Sequence, residues 1–225
     1  MPYTWLLFDA DDTLFDYAKA EASALQGTFE ELSMAFEPEF LDIYKRYNQQ
    51  VWQEFERGET TSQELRLKRF RLLFEEIHAP LDPQDFSPRY LENLSHGSSL
   101  LEGAARVLEN LSGHYHLALV TNGLSDVQRP RLECSAIRPF IEKIFISEEI
   151  GVAKPEAGFF EAVFRDIGHP AKSQVLIIGD SLSSDMQGGL NYEIDTCWFN
   201  PDGKTTELPV TYEIKALGQL LDILK

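Results

Sequence analysis

Residues 5–13 read Trp5-Leu6-Leu7-Phe8-Asp9-Ala10-Asp11-Asp12-Thr13, a short apolar run that ends in acidic residues. This pattern is typical of a buried parallel strand. Three similar apolar runs follow, at His116 to Val120, Ile144 to Ile146 and Val175 to Ile178, with helical patterns between them. Strands that alternate with helices predict a doubly wound, mainly parallel α/β sheet of the Rossmann-like kind.

The end of the sequence extends this pattern. Thr196 to Phe199 predicts another strand. A closing amphipathic helix is predicted from the spacing of four leucines, Leu217, Leu220, Leu221 and Leu224.

The stretch from Tyr17 to Leu94 is different, because it shows helical spacing and no buried-strand run. Thr61 and Glu64 have the spacing of a capping box and predict the start of its third helix. The first two helices are predicted from residues that share a face: Leu25, Thr28, Phe29 and Leu32, then Ile43, Tyr47, Val51 and Phe55. We therefore predict an α/β core of residues 1–16 and 95–225 and an inserted all-helical cap domain of residues 17–94, over the carboxyl edge of the sheet.

Composition limits the possible partners. The 225 residues include 37 acidic and 20 basic ones, for a formal net charge of -17. This charge argues against a nucleic acid polymer or an anionic membrane as partner. We find no signal-peptide core or membrane-length apolar stretch, and Cys134 and Cys197 lack the spacing of a zinc site or disulfide framework. A cytoplasmic protein with reduced thiols is predicted, and the oligomeric state stays open.

Acidic residues follow the first and fourth predicted strands. In open α/β sheets the ligand site lies beyond the carboxyl ends of the strands. Asp9 and Asp11 can both face that site across one turn, whereas Asp180 ends the fourth strand and Asp185 lies five residues later. Paired carboxylates suit a metal, a nucleophile or acid/base chemistry. Four carboxylates at one edge predict an oxygen-rich magnesium site.

The second and third strands end in residues that suit a phosphate. Thr121-Asn122-Gly123 offers a hydroxyl and loop amides near a helix start. Lys154 follows the third strand and could supply a fixed positive charge. A metal and a lysine would allow an acidic protein to bind a small phosphorylated substrate.

These residues resemble the motifs of the haloacid dehalogenase-like hydrolase superfamily. The matching positions are Asp9-x-Asp11-x-Thr13, Thr121, Lys154 and Gly179-Asp180-x-x-x-x-Asp185. The helical insert after the first motif also resembles that superfamily's cap of the first type. Dehalogenases look different at the position of Asp11, because halide leaves without protonation. An acid there implies an oxygen leaving group and therefore hydrolysis of a phosphate ester.

The resemblance implies a role for each acidic residue. Asp9 would attack phosphorus and form an aspartyl-phosphate, and Asp11 would protonate the leaving oxygen and then activate water. The Asp9 carboxylate, the Asp11 backbone carbonyl and Asp180 would bind Mg2+. Asp185 would bind it through water or steady Lys154.

The remaining implied roles concern the phosphoryl group. Thr121 and the Asn122 amide would hold that group. Lys154 would offset the negative charge of both Asp9 and the transferred phosphoryl group.

Four segments resemble the branch of this superfamily that hydrolyses pyrimidine and noncanonical nucleoside 5'-monophosphates. They are Trp52 to Gly58, Thr121-Asn122-Gly123, Ile146 to Pro155 and Thr196 to Pro201. The resemblance implies a 5'-nucleotidase acting on a small nucleotide. Two alternatives stay open: a sugar-phosphate or phosphoglycolate phosphatase, and a metal-dependent binding protein without turnover.

Other conspicuous residues are predicted to be structural. Four aromatic residues of the insert could line a pocket for a base, but their helical spacing favours a core: Trp52, Phe55, Phe70 and Phe74. Glu148 and Glu149 are predicted to lie in a solvated turn rather than in a second metal site.

Overall fold

The computed structural model describes residues 3–224, and within them six β-strands form one sheet. The strands are β1 (Trp5–Phe8), β2 (His116–Thr121), β3 (Lys143–Ile146), β4 (Val175–Gly179), β5 (Asp195–Phe199) and β6 (Tyr212–Ile214). They lie in the order β3-β2-β1-β4-β5-β6, and every neighbouring pair is parallel. The predicted doubly wound parallel sheet is therefore confirmed, with β6 as an additional edge strand.

Ten α-helices occur in the described residues. They are α1 (Tyr17–Glu31), α2 (Pro38–Glu56), α3 (Ser62–Glu76), α4 (Pro83–Ser95), α5 (Ala104–Ser112), α6 (Ser125–Glu133), α7 (Ser147–Ile150), α8 (Ala157–Asp166), α9 (Gln187–Asn191) and α10 (Leu220–Ile223). Shorter helical turns of the 3-10 type lie at Arg138–Phe140, Lys172–Gln174 and Leu217–Gln219, and a π-helix lies at Leu182–Met186. The predicted closing helix is thus a 3-10 turn followed by α10.

The core of the α/β unit has two apolar layers, one on each face of the sheet. Leu6 and Phe8 of β1 pack in a cluster that includes the apolar face of α5. Leu7, which points to the opposite face, packs in a second cluster with the phenylalanines of α8. Strands covered on both faces must be apolar throughout, which explains the short apolar runs in the sequence.

The chain forms two compact units. Within the described residues, the α/β unit includes residues 3–17, Ser98–Ser125 and residues 132–224. The helical unit comprises Ala18–Gly97 together with Asp126–Arg131. The last segment lies inside α6, within the range 95–225 that sequence analysis predicts as α/β core.

Aromatic side chains form the centre of the helical unit. Phe70 is fully buried and its ring stacks on Tyr44 at a centroid distance of 5.5 Å and meets Phe86 at 4.9 Å. Phe74 is also buried, so the core interpretation of Phe70 and Phe74 is confirmed. Trp52 is only partly buried, and its ring contacts that of Phe55 edge to face at 5.7 Å.

Two local predictions for this unit have different outcomes. Thr61 does cap α3, since its side chain accepts a hydrogen bond from the Glu64 N–H at 3.2 Å. The face predicted for α2 is right at Val51, which is buried, but its other buried residues are Tyr44 and Asn48, and the predicted Ile43 and Tyr47 are only half-buried. Asn48 accepts a hydrogen bond from buried Arg69 at 3.0 Å, and hydropathy spacing cannot reveal a buried polar pair of this kind.

Among the described residues, no helix combines the length and the apolar character that crossing a membrane requires.

Candidate active site

The carboxyl ends of β1, β2 and β4 bring the first group of predicted site residues to one edge of the sheet. Asp9 follows β1, Thr121 ends β2 and Asp180 follows β4. These strands are neighbours in the order β2-β1-β4, and the Asp9 N–H donates to the carbonyl of Ile178 at 2.9 Å. The position of Asp9 is therefore set by the sheet ladder itself.

Lys154 reaches this edge from the loop between α7 and α8 and is only 1% exposed. Its Nζ atom donates three hydrogen bonds, to Oδ1 of Asp9 at 2.7 Å, to Oδ1 of Asp185 at 2.6 Å and to the carbonyl of Val120 at 2.8 Å. Burial alone would lower the pKa of Lys154, but the charges of Asp185 and Asp9 outweigh it and raise that pKa. Lys154 is therefore a fixed positive charge beside Asp9.

Asp185 lies in the π-helix and is fully buried. One oxygen accepts from Lys154, and the other accepts from the Ser181 N–H at 3.2 Å. A Cβ atom at Gly179 would lie 2.2 Å from Oδ2 of Asp185, so this approach requires glycine. Of the two roles that sequence analysis left open for Asp185, this geometry favours steadying Lys154.

Asp180 is held from both sides. The Thr13 hydroxyl donates to its Oδ1 atom at 3.2 Å, and the indole N–H of Trp198 donates to its backbone carbonyl at 2.9 Å. Burial raises the pKa of Asp180 to about 7, and the charges of Asp185 and Asp12 act in the same direction. The carboxylates at this edge thus repel one another.

Carboxylate oxygens of Asp9, Asp180 and Asp185 lie within 4.8 Å of one another. Burial raises the pKa of Asp9; Lys154 opposes that rise, whereas Asp185 and Asp180 add to it. Three carboxylates against one ammonium leave an excess of negative charge, which a divalent cation would offset. Among the described residues this acidic group does not include the side chain of Asp11, for which the predicted metal contact was the backbone carbonyl.

The turn after β2 has a more specific structure than predicted. The Gly123 N–H donates to the buried Thr121 hydroxyl at 3.0 Å, which leaves the hydroxyl hydrogen of Thr121 to donate elsewhere. The Asn122 side chain makes two hydrogen bonds to the main chain of Lys154. The side chain of Asn122 is therefore used within the protein, and the phosphate contact predicted for this residue is one of its main-chain N–H.

Comparisons with known proteins agree with this geometry. The sequence profile of the haloacid dehalogenase-like hydrolase family matches residues 6–199. The chain belongs to this family. The resemblance predicted from the motifs is thereby confirmed.

Proteins similar to this chain include two pyrimidine 5'-nucleotidases. The chain is 37% identical to pyrimidine 5'-nucleotidase PynA of Streptococcus pneumoniae over 227 residues, covering 100% of this chain and 96% of PynA. It is 31% identical to pyrimidine 5'-nucleotidase YjjG of Escherichia coli over 230 residues, covering 100% and 99% respectively.

A solved structure is also similar along its full length. YfnB of Bacillus subtilis, crystallised bound to magnesium, is 40% identical to this chain and superimposes with a TM-score of 0.94. The match covers 99% of both chains.

Sequence analysis gave no supporting role to several residues that the structure places around this site. Gly179 admits Asp185, and Trp198 fixes the carbonyl of Asp180. Glu148 was expected in a solvated turn, but its Oε2 atom accepts from both the N–H and the hydroxyl of Ser125, at 2.9 Å each. Of these contacts, the sequence could have indicated the bond from the Ser181 N–H to Asp185. An aspartate near the start of a helix commonly accepts hydrogen bonds from nearby main-chain N–H groups.

Proposed function

We propose that this chain is a phosphatase that hydrolyses nucleoside 5'-monophosphates with Mg2+ as its cofactor. The observation that supports this best is the pairing of Asp9 with Lys154 at 2.7 Å, beside Asp180 and Asp185. A carboxylate nucleophile next to a buried cation can approach a phosphate, which carries negative charge itself. The similarity to the pyrimidine 5'-nucleotidases PynA and YjjG supports a nucleotide as the substrate.

In the first step, a carboxylate oxygen of Asp9 attacks phosphorus and the ester P–O bond breaks. Asp11 donates its proton to the departing oxygen, so that the nucleoside leaves as an alcohol. The phosphoryl group is then an acyl phosphate on Asp9. Asp11 lies two residues beyond Asp9, in the turn that a bridge between Asp11 and Phe15 closes.

In the second step, water attacks phosphorus of the aspartyl-phosphate and transfers a proton to the Asp11 carboxylate. The bond between phosphorus and the Asp9 oxygen breaks, which releases inorganic phosphate and restores Asp9. Asp11 is again protonated, so the cycle is complete with one water consumed.

The donor set fits a magnesium ion, because its members are the hard oxygen ligands that Mg2+ prefers. Asp9, Asp180 and the Asp11 carbonyl would hold it, with Asp185 close by. When bound there, Mg2+ would neutralise phosphoryl oxygens that otherwise repel the attacking carboxylate.

The phosphoryl group itself would be held by Thr121, Asn122 and Lys154. The Thr121 hydroxyl and the Asn122 main-chain N–H would donate to its oxygens. Lys154 would offset its charge from the side of Asp9.

We propose that catalysis belongs to residues 1–16 and 95–225 and that the helical insert, residues 17–94, acts as a cap that selects the substrate. The half-buried pair of Trp52 and Phe55 in the insert supports such a role, since aromatic rings stack on nucleobases. The cytoplasmic location predicted from the sequence stays a prediction.

The test is magnesium-dependent phosphate release from a panel of nucleoside monophosphates, sugar phosphates and phosphoglycolate. Asp9→Asn serves as the blank, because it keeps the shape and removes the nucleophilic charge. Asp16→Asn is the matched control for loss of a nearby carboxylate, and it should retain wild-type turnover.

Pyrimidine nucleoside monophosphates are expected to give the highest kcat/KM in the panel. A sugar phosphate in the lead would overturn the substrate and keep the mechanism. Magnesium binding without any phosphate release would instead indicate the binding protein without turnover. Turnover by Asp9→Asn at the wild-type rate would overturn the mechanism.

A further inference from the structure

Asn122 joins two loops of the site through its side chain. Its Nδ2 atom donates to the carbonyl of Lys154 at 2.9 Å, and its Oδ1 atom accepts from the Lys154 N–H at 2.9 Å. One amide therefore satisfies both polar groups of the Lys154 main chain. The sequence motif and the family resemblance give Asn122 only a contact with phosphate. They give its side chain no role.

The partner loop is tied back to Asn122 as well. The Ser147 hydroxyl, at the start of α7, donates to the backbone carbonyl of Asn122 at 3.2 Å. The turn after β2 and the segment after β3 are thus connected through both the side chain and the main chain of Asn122. These connections lie immediately beside Thr121, whose neighbour Val120 accepts from Nζ of Lys154.

The position of the Lys154 ammonium depends on this main chain. Nζ is held at 2.7 Å from Asp9 and 2.6 Å from Asp185, inside a site where Lys154 is 1% exposed. A lysine side chain has several rotatable bonds and is not rigid by itself. With its backbone clamped at one end and three acceptors at the other, it has little freedom left.

We propose that Asn122 is a positioning residue that sets the main chain of Lys154, so that the ammonium stays between Asp9 and Asp185. Its effect on catalysis rests on the proposed function, whereas its effect on Lys154 does not. Asn122 acts through Lys154 and not through a direct contact of its side-chain amide with the substrate.

The chain contains a matched control for this clamp. The Asn200 side chain makes the same pair of hydrogen bonds to the main chain of Lys204, at 2.8 Å to the carbonyl and 2.9 Å from the N–H. The side chain of Lys204 is 71% exposed and pairs with Asp202. Asn200→Ala therefore removes the same pair of main-chain hydrogen bonds from a lysine outside the acidic group, together with the bond that Asn200 Nδ2 donates to Glu213 at 2.7 Å.

The first test measures the accessibility of Lys154 in the full chain. Acetic anhydride is added in limited amounts, and the acetylation of each lysine is followed by peptide mass spectrometry, with Lys204 as the exposed reference. In the wild type Lys154 should be strongly protected. In Asn122→Ala its acetylation rate should rise at least about tenfold, because both partly buried hydrogen bonds to the Lys154 main chain are lost.

Two comparisons make this result specific. Asn200→Ala should leave the acetylation of Lys154 unchanged. If Asn122→Ala does not fold, Asn122→Asp is used, which keeps the acceptor for the Lys154 N–H and loses the donor. That variant should raise the rate at least about threefold, since one of the two bonds remains.

The second test is kinetic. Asn122→Ala should lower kcat about tenfold or more and change KM by less than about threefold, because Lys154 acts on the charge of the transferring group. In a Lys154→Met background the same substitution should change kcat by less than about twofold, since residues that act through one another are not additive.

Three results would overturn the proposal. Acetylation of Lys154 could be equally slow in the wild type and in the Asn122 variants, or Asn200→Ala could speed it as much as Asn122→Ala does. Asn122→Ala could also lower kcat in the Lys154→Met background as much as it does in the wild type. If the wild type releases no phosphate from any substrate, the proposed function fails. The acetylation experiment still decides the contact between Asn122 and Lys154.

Discussion

Nζ of Lys154 lies 2.6 Å from Oδ1 of Asp185, and neither side chain is more than 1% exposed. Two charges buried this deeply lose their hydration, and their attraction repays that loss only with close geometry and further hydrogen bonds. Here both conditions are met, because Lys154 also contacts Asp9 and Val120 and Asp185 also accepts from Ser181. The ion pair is therefore sensitive to removal of either partner.

Replacing Lys154 by methionine should destabilise the metal-free protein. The substitution keeps the size of the side chain and leaves buried carboxylates without a counterion, at a cost of about 3 kcal/mol in the free energy of unfolding. Added MgCl2 should restore more stability to this variant than to the wild type, because the cation then replaces the lost positive charge. Urea unfolding in EDTA and in MgCl2 measures both effects.

The matched control is Lys143→Met. Lys143 pairs with Asp166 at 2.9 Å, but the two side chains are 45% and 51% exposed. Exposed ion pairs contribute at most about 1 kcal/mol to the free energy of unfolding, so the stability of this variant should be close to that of the wild type. Equal destabilisation by the two substitutions would contradict the importance assigned to burial of Lys154.

Gly179→Ala should damage the acidic group by direct overlap. The new methyl group would lie 2.2 Å from Oδ2 and 2.4 Å from Cγ of Asp185, so the π-helix must shift. We expect a loss of roughly 2 kcal/mol in the free energy of unfolding and weaker magnesium binding. Urea unfolding and a magnesium titration followed by calorimetry measure these two changes.

Gly158 provides the comparison for that substitution. It lies in α8, and a Cβ atom there would meet Val152 at 3.5 Å, an ordinary contact. Gly158→Ala should leave stability unchanged or raise it by about 0.5 kcal/mol, since alanine favours helix over glycine. A similar loss in the two variants would show that the contact with Asp185 is not the cause.

The fold was largely predictable because its strands are buried on both faces. β1, β2, β3, β4 and β5 were each visible as an apolar run. β6 and α4 were not: β6 is a three-residue edge strand, and α4 begins with Pro83 and contains Pro88. Asp82 directly precedes α4, and its Oδ1 atom accepts a hydrogen bond from the Gln84 N–H at 2.9 Å. Pro83 occupies the first turn of α4, where proline is tolerated, and the helix that contains Pro88 buries Phe86, Tyr90, Leu91 and Leu94.

Membership of the acidic group could be predicted, whereas the supporting contacts could not. Asp9 and Asp180 end neighbouring strands, so topology alone brings them together. The clamp of Asn122 on Lys154 joins positions 32 residues apart and follows from loop conformation. The contact of Trp198 with Asp180 is similar, because a tryptophan on a buried strand reads simply as core.

Trp198→Phe should weaken magnesium binding with little effect on chemistry at saturating metal. The indole N–H donates to the Asp180 carbonyl at 2.9 Å, and phenylalanine keeps the packing without this bond. Groups that orient a metal ligand typically contribute about tenfold or more to metal affinity. We expect a roughly tenfold higher Kd for Mg2+ by calorimetry, and kcat within about twofold of the wild type in excess MgCl2.

Trp5→Phe is the control for loss of an indole. Trp5 stacks on His116 at a centroid distance of 4.8 Å, at the start of the strand that Asp9 follows. Its replacement should leave the Kd for Mg2+ unchanged. A tenfold effect in both variants, or in neither, would contradict the role given to Trp198.

Cys197 should make the stability of the protein fall as the solution becomes alkaline. Burial raises the pKa of its thiol to about 12, whereas the pKa of a cysteine in an unfolded chain is about 8.5. Because the folded pKa is the higher one, the contribution is complete below about pH 8.5 and is lost progressively between that pH and about 12. At pH 9.5 the loss should be about 1 kcal/mol relative to pH 7.5.

Urea unfolding at both pH values, in the wild type and in Cys197→Ala, isolates the contribution of the Cys197 thiol to the pH dependence of stability. The variant should be less stable throughout because a buried side chain is shortened, but its stability should fall less between pH 7.5 and 9.5, by about 1 kcal/mol. Cys134 is exposed, and Cys134→Ala is the control for loss of a thiol outside the core. The same pH dependence in the wild type and Cys197→Ala would contradict a neutral, buried thiol at position 197.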